Sequence, residues 1–183
     1  MKEKTGEVFS ITEENKPVAG CTISKEVYGG DNYILYFSLA KDTDISAEIF
    51  PYHKLLIVAG GEMEVYSSDG EIKKISKGES ILTRTGIPVG MRSGTSVVYT
   101  EIEVRKEDKM NDVIKAGNVF KLADLVPYQE GKIVNMDVVH NDKMKLVVMA
   151  FDSQTGLSEH AAPGEALIFA LEGENLTDRK SVV

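Results

Sequence analysis

Three histidines, one cysteine and a scatter of carboxylates are the residues of this 183-residue chain that could ligate a metal or act as a nucleophile. A Zn, Fe or Mn ion needs about three or four nitrogen or oxygen donors converging on one point, and two histidines one residue apart on a strand supply two of them from one face. His53, His140 and His160 are never so spaced. Cys21 has no adjacent histidine, and its apolar, strand-like surroundings read as those of a buried structural thiol. The carboxylates fall on polar stretches without an acid-base pair, and no P-loop or GxGxxG follows any expected strand. Arg84 and Arg92 bracket residues 85–91, where one of them could orient an anion. Surface solvation is the commoner use of such arginines.

The charge balance excludes one class of partner. The net charge is −8, acidic residues outnumber basic ones on either side of Asp112, and the short basic runs Lys73-Lys74 and Arg105-Lys106 are flanked by Glu and Asp. Nucleic acid binding needs clustered Lys and Arg, so it is not expected. A lone cysteine forms no internal disulfide, no secretory leader opens the sequence, and no apolar run approaches the roughly 20 residues of a membrane helix. These features imply a cytoplasmic protein with no membrane partner.

The elements that must position any site are strands. Short runs rich in Val, Ile, Tyr and Phe at 32–40, 54–66, 80–84, 96–104, 131–140, 144–152 and 166–171 alternate with turn signals at 28–31, 67–70, 77–79 and 141–142 and at Pro163-Gly164. Segment 107–117 suits a short helix or linker, and 119–126 a single helical turn before Pro127. An internal repeat organises these runs. With Gly61 laid on Gly173, 112 residues further on, 34–62 covers 146–174 without a gap. Thr43 then meets Thr155, Ser46 meets Ser158, Pro51 meets Pro163, Leu55 meets Leu167 and Glu62 meets Glu174. Shared Pro, Gly and Glu at fixed spacing point to duplication of one unit.

At 159–174, EHAAPGEALIFALEGE, the chain resembles the first motif of the cupin superfamily: His-x-His, then Glu, then a strand ending in Gly. The second cupin motif resembles 78–84 followed by Pro88-Val89. The resemblance implies an all-β fold, a cupin-like (jelly-roll) double-stranded β-helix in two tandem copies. Residues 1–112 would form a complete barrel and 113–183 a partial second one. Counting back from Gly173, the family's ligand positions fall on His160, Ala162 and Ala166, so His160 alone keeps a donor. In the first copy they fall on Glu48, Phe50 and Lys54, and Val89 stands for the histidine of the second motif.

These substitutions shape the functional expectation. No cofactor is expected, and a divalent metal, whose one remaining ligand would be His160, is disfavoured against a pocket-lining imidazole there. Glu48 and Phe50 share a strand face and could meet an interior ligand, with Lys54 as counter-charge. A Glu48–Lys54 ion pair closing a former site is an equal alternative. The leading reading is a non-catalytic protein that binds or senses a small molecule through Glu48, Phe50, Lys54 and His160. A metal-dependent isomerase or dioxygenase built around His160, and a structural dimerisation module, are the alternatives. Strands 146–151 and 167–171 are apolar on consecutive positions, which suits cover on both faces, so a homo-oligomer is expected.

Overall fold

The computed structural model describes residues 2–158 and 164–173. Among these residues twelve strands follow a four-residue helix α1 (Ile11–Glu14), whose Ser10 side chain accepts a hydrogen bond from the Glu13 amide. They are β1 (Thr22–Tyr28), β2 (Ile34–Leu39), β3 (Thr43–Glu48), β4 (His53–Ser67), β5 (Ile72–Ser76), β6 (Ser80–Leu82), β7 (Val89–Ser93), β8 (Val97–Val104), β9 (Lys109–Met110), β10 (Val119–Phe120), β11 (Ile133–His140) and β12 (Lys145–Phe151). A 3-10 turn at Ala123–Leu125 stands where a single helical turn is expected, and 107–117 is a linker of turns holding β9. Among the described residues no helix is long and apolar enough to cross a membrane.

Strand β4 runs through two sheets. Its first part pairs with β8 and β6 in a layer ordered β1-β2-β8-β4-β6-β10, and its second part pairs with β5 and β7, with β3 beyond β7. The change of sheet falls at Gly60-Gly61. Gly61 adopts φ +80°, and a Cβ there would overlap the Ser96 carbonyl, so only glycine fits. The two sheets face each other but share only β4, and the other edges are not hydrogen-bonded together. The closed barrel expected for the first copy is therefore corrected to a sandwich hinged on one long strand.

Side-chain alternation gives the first layer two apolar faces. Leu39, Leu56, Val58, Ile81, Val97 and Tyr99 point inward against Met63, Val65, Ile75 and Met91 of the second sheet. Leu55, Leu82, Ile102 and Val104 point outward. There they pack on Ile114, Leu122 and Val126 of the linker and on Val138, Val139, Val148 and Ala150 of a third sheet, β12-β11-β9. Strand β8, buried along its whole length, is the shared wall. Asn141 strengthens the junction by donating to Asn32 and Asp108, and Lys143 by pairing with Asp31.

Local geometry recurs at the spacing of the sequence repeat. Hairpins β1-β2 and β11-β12 each carry an irregularity centred on a fully buried valine, Val27 and Val138, one residue short of that spacing. Asp42 and Gln154 have φ of +59° and +62°, and Gly61 and Gly173 of +80° and +79°. Thr43 bonds the Ala40 carbonyl as Thr155 bonds that of Asp152. One expected strand is absent: 166–171 joins no ladder, and Ile168 is 68% exposed. A strand needs a partner for its backbone groups, and its counterpart in β4 has β8.

Candidate functional site

The interior of the first sandwich is apolar except at one end. Strand β8 places Tyr99, Glu101 and Glu103 on the inward face at alternate positions, and β4 brings Lys54 alongside. Lys54 is fixed by its backbone: its amide donates to Thr83 Oγ1 at 2.8 Å, and its carbonyl accepts from the Thr83 amide at 2.9 Å. Its ammonium lies 3.2 Å from Glu101 Oε1, with 11% and 1% of the two side chains exposed. The Tyr33 hydroxyl donates to the same oxygen at 2.7 Å. A buried charge pair of this kind persists only when each charge keeps its partner.

Aromatic rings cover the pair. Phe50, in the connection between β3 and β4, lays its ring face 3.8 Å from Lys54 Nζ, a cation–π contact in a desolvated place. Tyr52 packs on Phe50 with ring centres 5.2 Å apart and edge-on to Tyr33 at 6.0 Å. The Tyr33 hydroxyl also reaches the Tyr52 hydroxyl at 3.3 Å. Burial, and after it the nearby Glu101 charge, pushes the Tyr33 phenol far above its ordinary range, so Tyr33 acts as a donor. Burial and then Glu101 raise Tyr99 in the same sense.

Among the described residues two polar atoms in this interior have no hydrogen-bond partner. Glu101 Oε2 and the Tyr99 hydroxyl are both buried and unbonded. The other such atoms among the described residues, the hydroxyls of Ser80 and Tyr36, lie on the opposite side of the layer, Ser80 beside inward Ile81 and Tyr36 against Phe9 and Lys25.

The structure thus separates the residues singled out from sequence. Phe50 and Lys54 come together, but Glu48 is exposed at the end of β3, opposite Val89 in the ladder, and makes no ion pair among the described residues. The Glu48–Lys54 pair is replaced by Glu101–Lys54 because Glu101 shares the inner face and Glu48 does not. His160 lies outside the described residues. Arg84 is occupied by Asp69 and Glu71 of the β4-β5 hairpin, and the Ser67 hydroxyl and then Arg84 hold the Asp69 carboxyl down at about 2. Arg92 pairs with Glu64 at 2.7 Å over the Tyr66 ring. Cys21 is exposed just before β1, which corrects the buried thiol expected from its neighbours. His53 faces away from Lys54 and donates from Nδ1 to the Thr83 carbonyl at 2.6 Å.

A metal held at the family's positions would need donors from residues 48, 50, 54 and 89. Phe50 and Val89 offer none, and Lys54 is itself a cation, so these residues do not fit a metal. Among the described residues no three His, Cys, Asp or Glu side chains are grouped to hold one. A groove of about 550 Å3 lies elsewhere, lined by Asp42, Asp44, Glu62, Glu64, Lys74 and Arg92. Its two cations are already paired, Lys74 with Glu62 and Arg92 with Glu64.

No family model and no curated protein matches the chain. Solved structures do match in fold. A cupin 2 conserved barrel domain protein from Leptotrichia buccalis superposes with a TM-score of 0.76 at 25% identity, over 89% of this chain and 73% of that one. A conserved protein of unknown function from Streptococcus pyogenes superposes at 0.55 with 20% identity, over 58% of this chain and 94% of that one. A cupin superfamily protein from Desulfitobacterium hafniense gives 0.51 at 13% identity, over 55% and 92%. The fold is all-β and cupin-like.

Proposed function

We propose that the first sandwich of this cupin-like chain is a non-catalytic binding or sensing site for a small organic molecule. The observation that carries the reading is Lys54, a cation neutralised by buried Glu101 and capped by Phe50 at a position where the family motif has a metal-binding carboxylate. Such a floor favours an organic ligand packed on rings over an ion held by donors. The test is elemental analysis of the full chain, together with a thermal-shift screen of small organic molecules. The expected outcome is stabilisation by at least one molecule and no stoichiometric metal. Near-stoichiometric Zn, Fe, Mn or Ni that survives His160→Ala would overturn it.

The turns that recur at the repeat spacing, and the bulges that recur within one residue of it, support reading 113–183 as a partial second copy, beginning near Asp112. The same comparison supports self-association. Among the described residues strand β12 has β11 on one side only, and Leu157, Ile168 and Leu171 are exposed. Light scattering at tens of micromolar should give a dimer or larger species that Leu167→Asp or Phe169→Asp dissociates. A monomer unchanged by either substitution would refute association. A reducing, cytoplasmic setting is supported by the single thiol of Cys21, exposed and unpaired.

A further inference from the structure

We infer that the edge of β12 left unpaired among the described residues is where the chain joins a second copy of itself, β12 against β12, antiparallel and centred on Val148. The inference rests on the self-association proposed above and says where and how it occurs. Edge strands invite pairing with another chain, and proteins blunt them with charges, bulges or shortness. Every other sheet edge among the described residues is blunted in one of these ways. Strand β1 carries Lys25 and Glu26 and an irregularity after Glu26, and its Val27 carbonyl already accepts from the Lys2 amide. Strand β3 carries Asp44 and Glu48 and is irregular between Ile45 and Glu48. Strand β5 carries Lys73 and Lys74, and β9 and β10 are two residues long. In β12, KLVVMAF, six apolar residues follow one another, and the bulge of its hairpin lies in β11 instead. The nearby 3-10 turn makes no backbone hydrogen bond to it among the described residues.

The counterpart of this edge in the first half holds a strand. At the 112-residue spacing Lys145–Phe151 falls on residues 33–39, and there β2 is paired along Ile34–Leu39 with β8. Symmetry and charge select a second copy as the strand received here. A two-fold axis through Val148 sets all seven residues of β12 against their equivalents, with Leu146 opposite the second copy's Ala150 and Val147 opposite its Met149. Val147 and Met149, half-buried on the face turned away from the first layer, then cover each other across the seam. The one charge in the strand, Lys145, comes opposite Phe151 and beside Asp152 of the second copy, and the same happens at the other end. Parallel pairing would instead set Lys145 beside Lys145 and Asp152 beside Asp152, like charges that repel. The two-fold pair uses both β12 edges, so association by this route stops at a dimer.

The test is amide hydrogen exchange on the full chain, at concentrations on either side of the association seen by light scattering. Amides of β12 that point to the edge should exchange at least about tenfold more slowly in the dimer than in the diluted monomer, and those of β5, an edge the dimer leaves alone, should not change. Charge substitution checks the register. Val147→Glu combined with Met149→Glu sets four carboxylates together and should give a monomer, as should Val147→Lys combined with Met149→Lys. Mixing the two variants in equal amounts should restore a dimer. If they do not fold, exchange in the unaltered chain decides alone. A dimer whose β12 amides exchange as in the monomer, or folded charge variants that each remain dimeric, overturns edge pairing while leaving self-association standing. Protection of the β12 edge in a species that scatters as a monomer assigns that edge to another segment of the same chain and also overturns the inference. A monomer with an unprotected β12 at every concentration overturns self-association itself.

Discussion

Residues 34–62 and the described residues among their counterparts 112 positions later share positive φ at two turns, Asp42 with Gln154 and Gly61 with Gly173, but meet different fates. Leu56 is fully buried, whereas Ile168 is 68% exposed. Gly61 and Gly173 share a positive φ, yet Gly61 is pressed against the Ser96 carbonyl and Gly173 has nothing within 4 Å of its would-be Cβ. Turn geometry is written into a few neighbouring residues and forms with or without tertiary partners. Burial and strand pairing are not local: the first half owns β8, which fills the space between β2 and β4, and the second half shows no strand in the corresponding place among the described residues.

Substitutions made in pairs test this contrast, beginning with the core. Leu56→Ala should cost about 4 kcal/mol in urea unfolding, whereas Ile168→Ala should stay within about 0.5 kcal/mol. Similar losses at the two sites would mean that the second half is as well covered as the first. At the next position of the comparison, Lys54→Met removes one member of a buried pair and should cost about 3 kcal/mol. Replacing exposed Ala166 by Lys should change stability by no more than about 0.5 kcal/mol. A neutral Lys54→Met would show that Glu101 does not depend on its ammonium. The smallest expected effect is at the glycines. Gly61→Ala should cost about 2 kcal/mol or more, from a disfavoured φ and the Ser96 overlap, and Gly173→Ala about 1 kcal/mol, from φ alone. Equal costs at the two would remove the distinction between a packed and an open turn.

The sequence made the long apolar strands β2, β4, β8, β11 and β12 legible, because β-branched and aromatic residues dominate them. It did not reveal β3 or β7, where TDISAE and VGMRS are half polar and take their order from partners far along the chain. It overstated 166–171, since composition signals an extended chain but cannot supply the neighbouring strand. At the candidate site, motif counting located Phe50 and Lys54 but missed Glu101, which lies on no motif position. A signal was present. In VVYTEIEV, Glu101 and Glu103 sit two apart in an otherwise apolar strand, and carboxylates at the spacing of one strand face are candidates for a buried pair or a site. Glu48 was misplaced because β3 ends at Glu48, so Phe50 lies in the connection to β4 and the strand alternation on which the shared-face argument relied does not reach it.

The two-sided burial of β4 also bears on alignment errors during folding. Leu55 and Leu56 are both fully buried, on opposite faces, so in the first part of β4 a slide by one residue exchanges one leucine for the other and loses little apolar contact. Hydrophobic pattern leaves the register of this first part degenerate, whereas in the second part a slip would turn Glu62 and Glu64 inward in place of Met63 and Val65. Two fixed points break the degeneracy. A slip would move Lys54 away from Glu101 and put a side-chain-bearing residue where Gly61 meets Ser96. The charged pair and the bent glycine thus act as the indexing marks by which β4 selects one alignment between β8 and β6, and the site's geometry follows from the same choice.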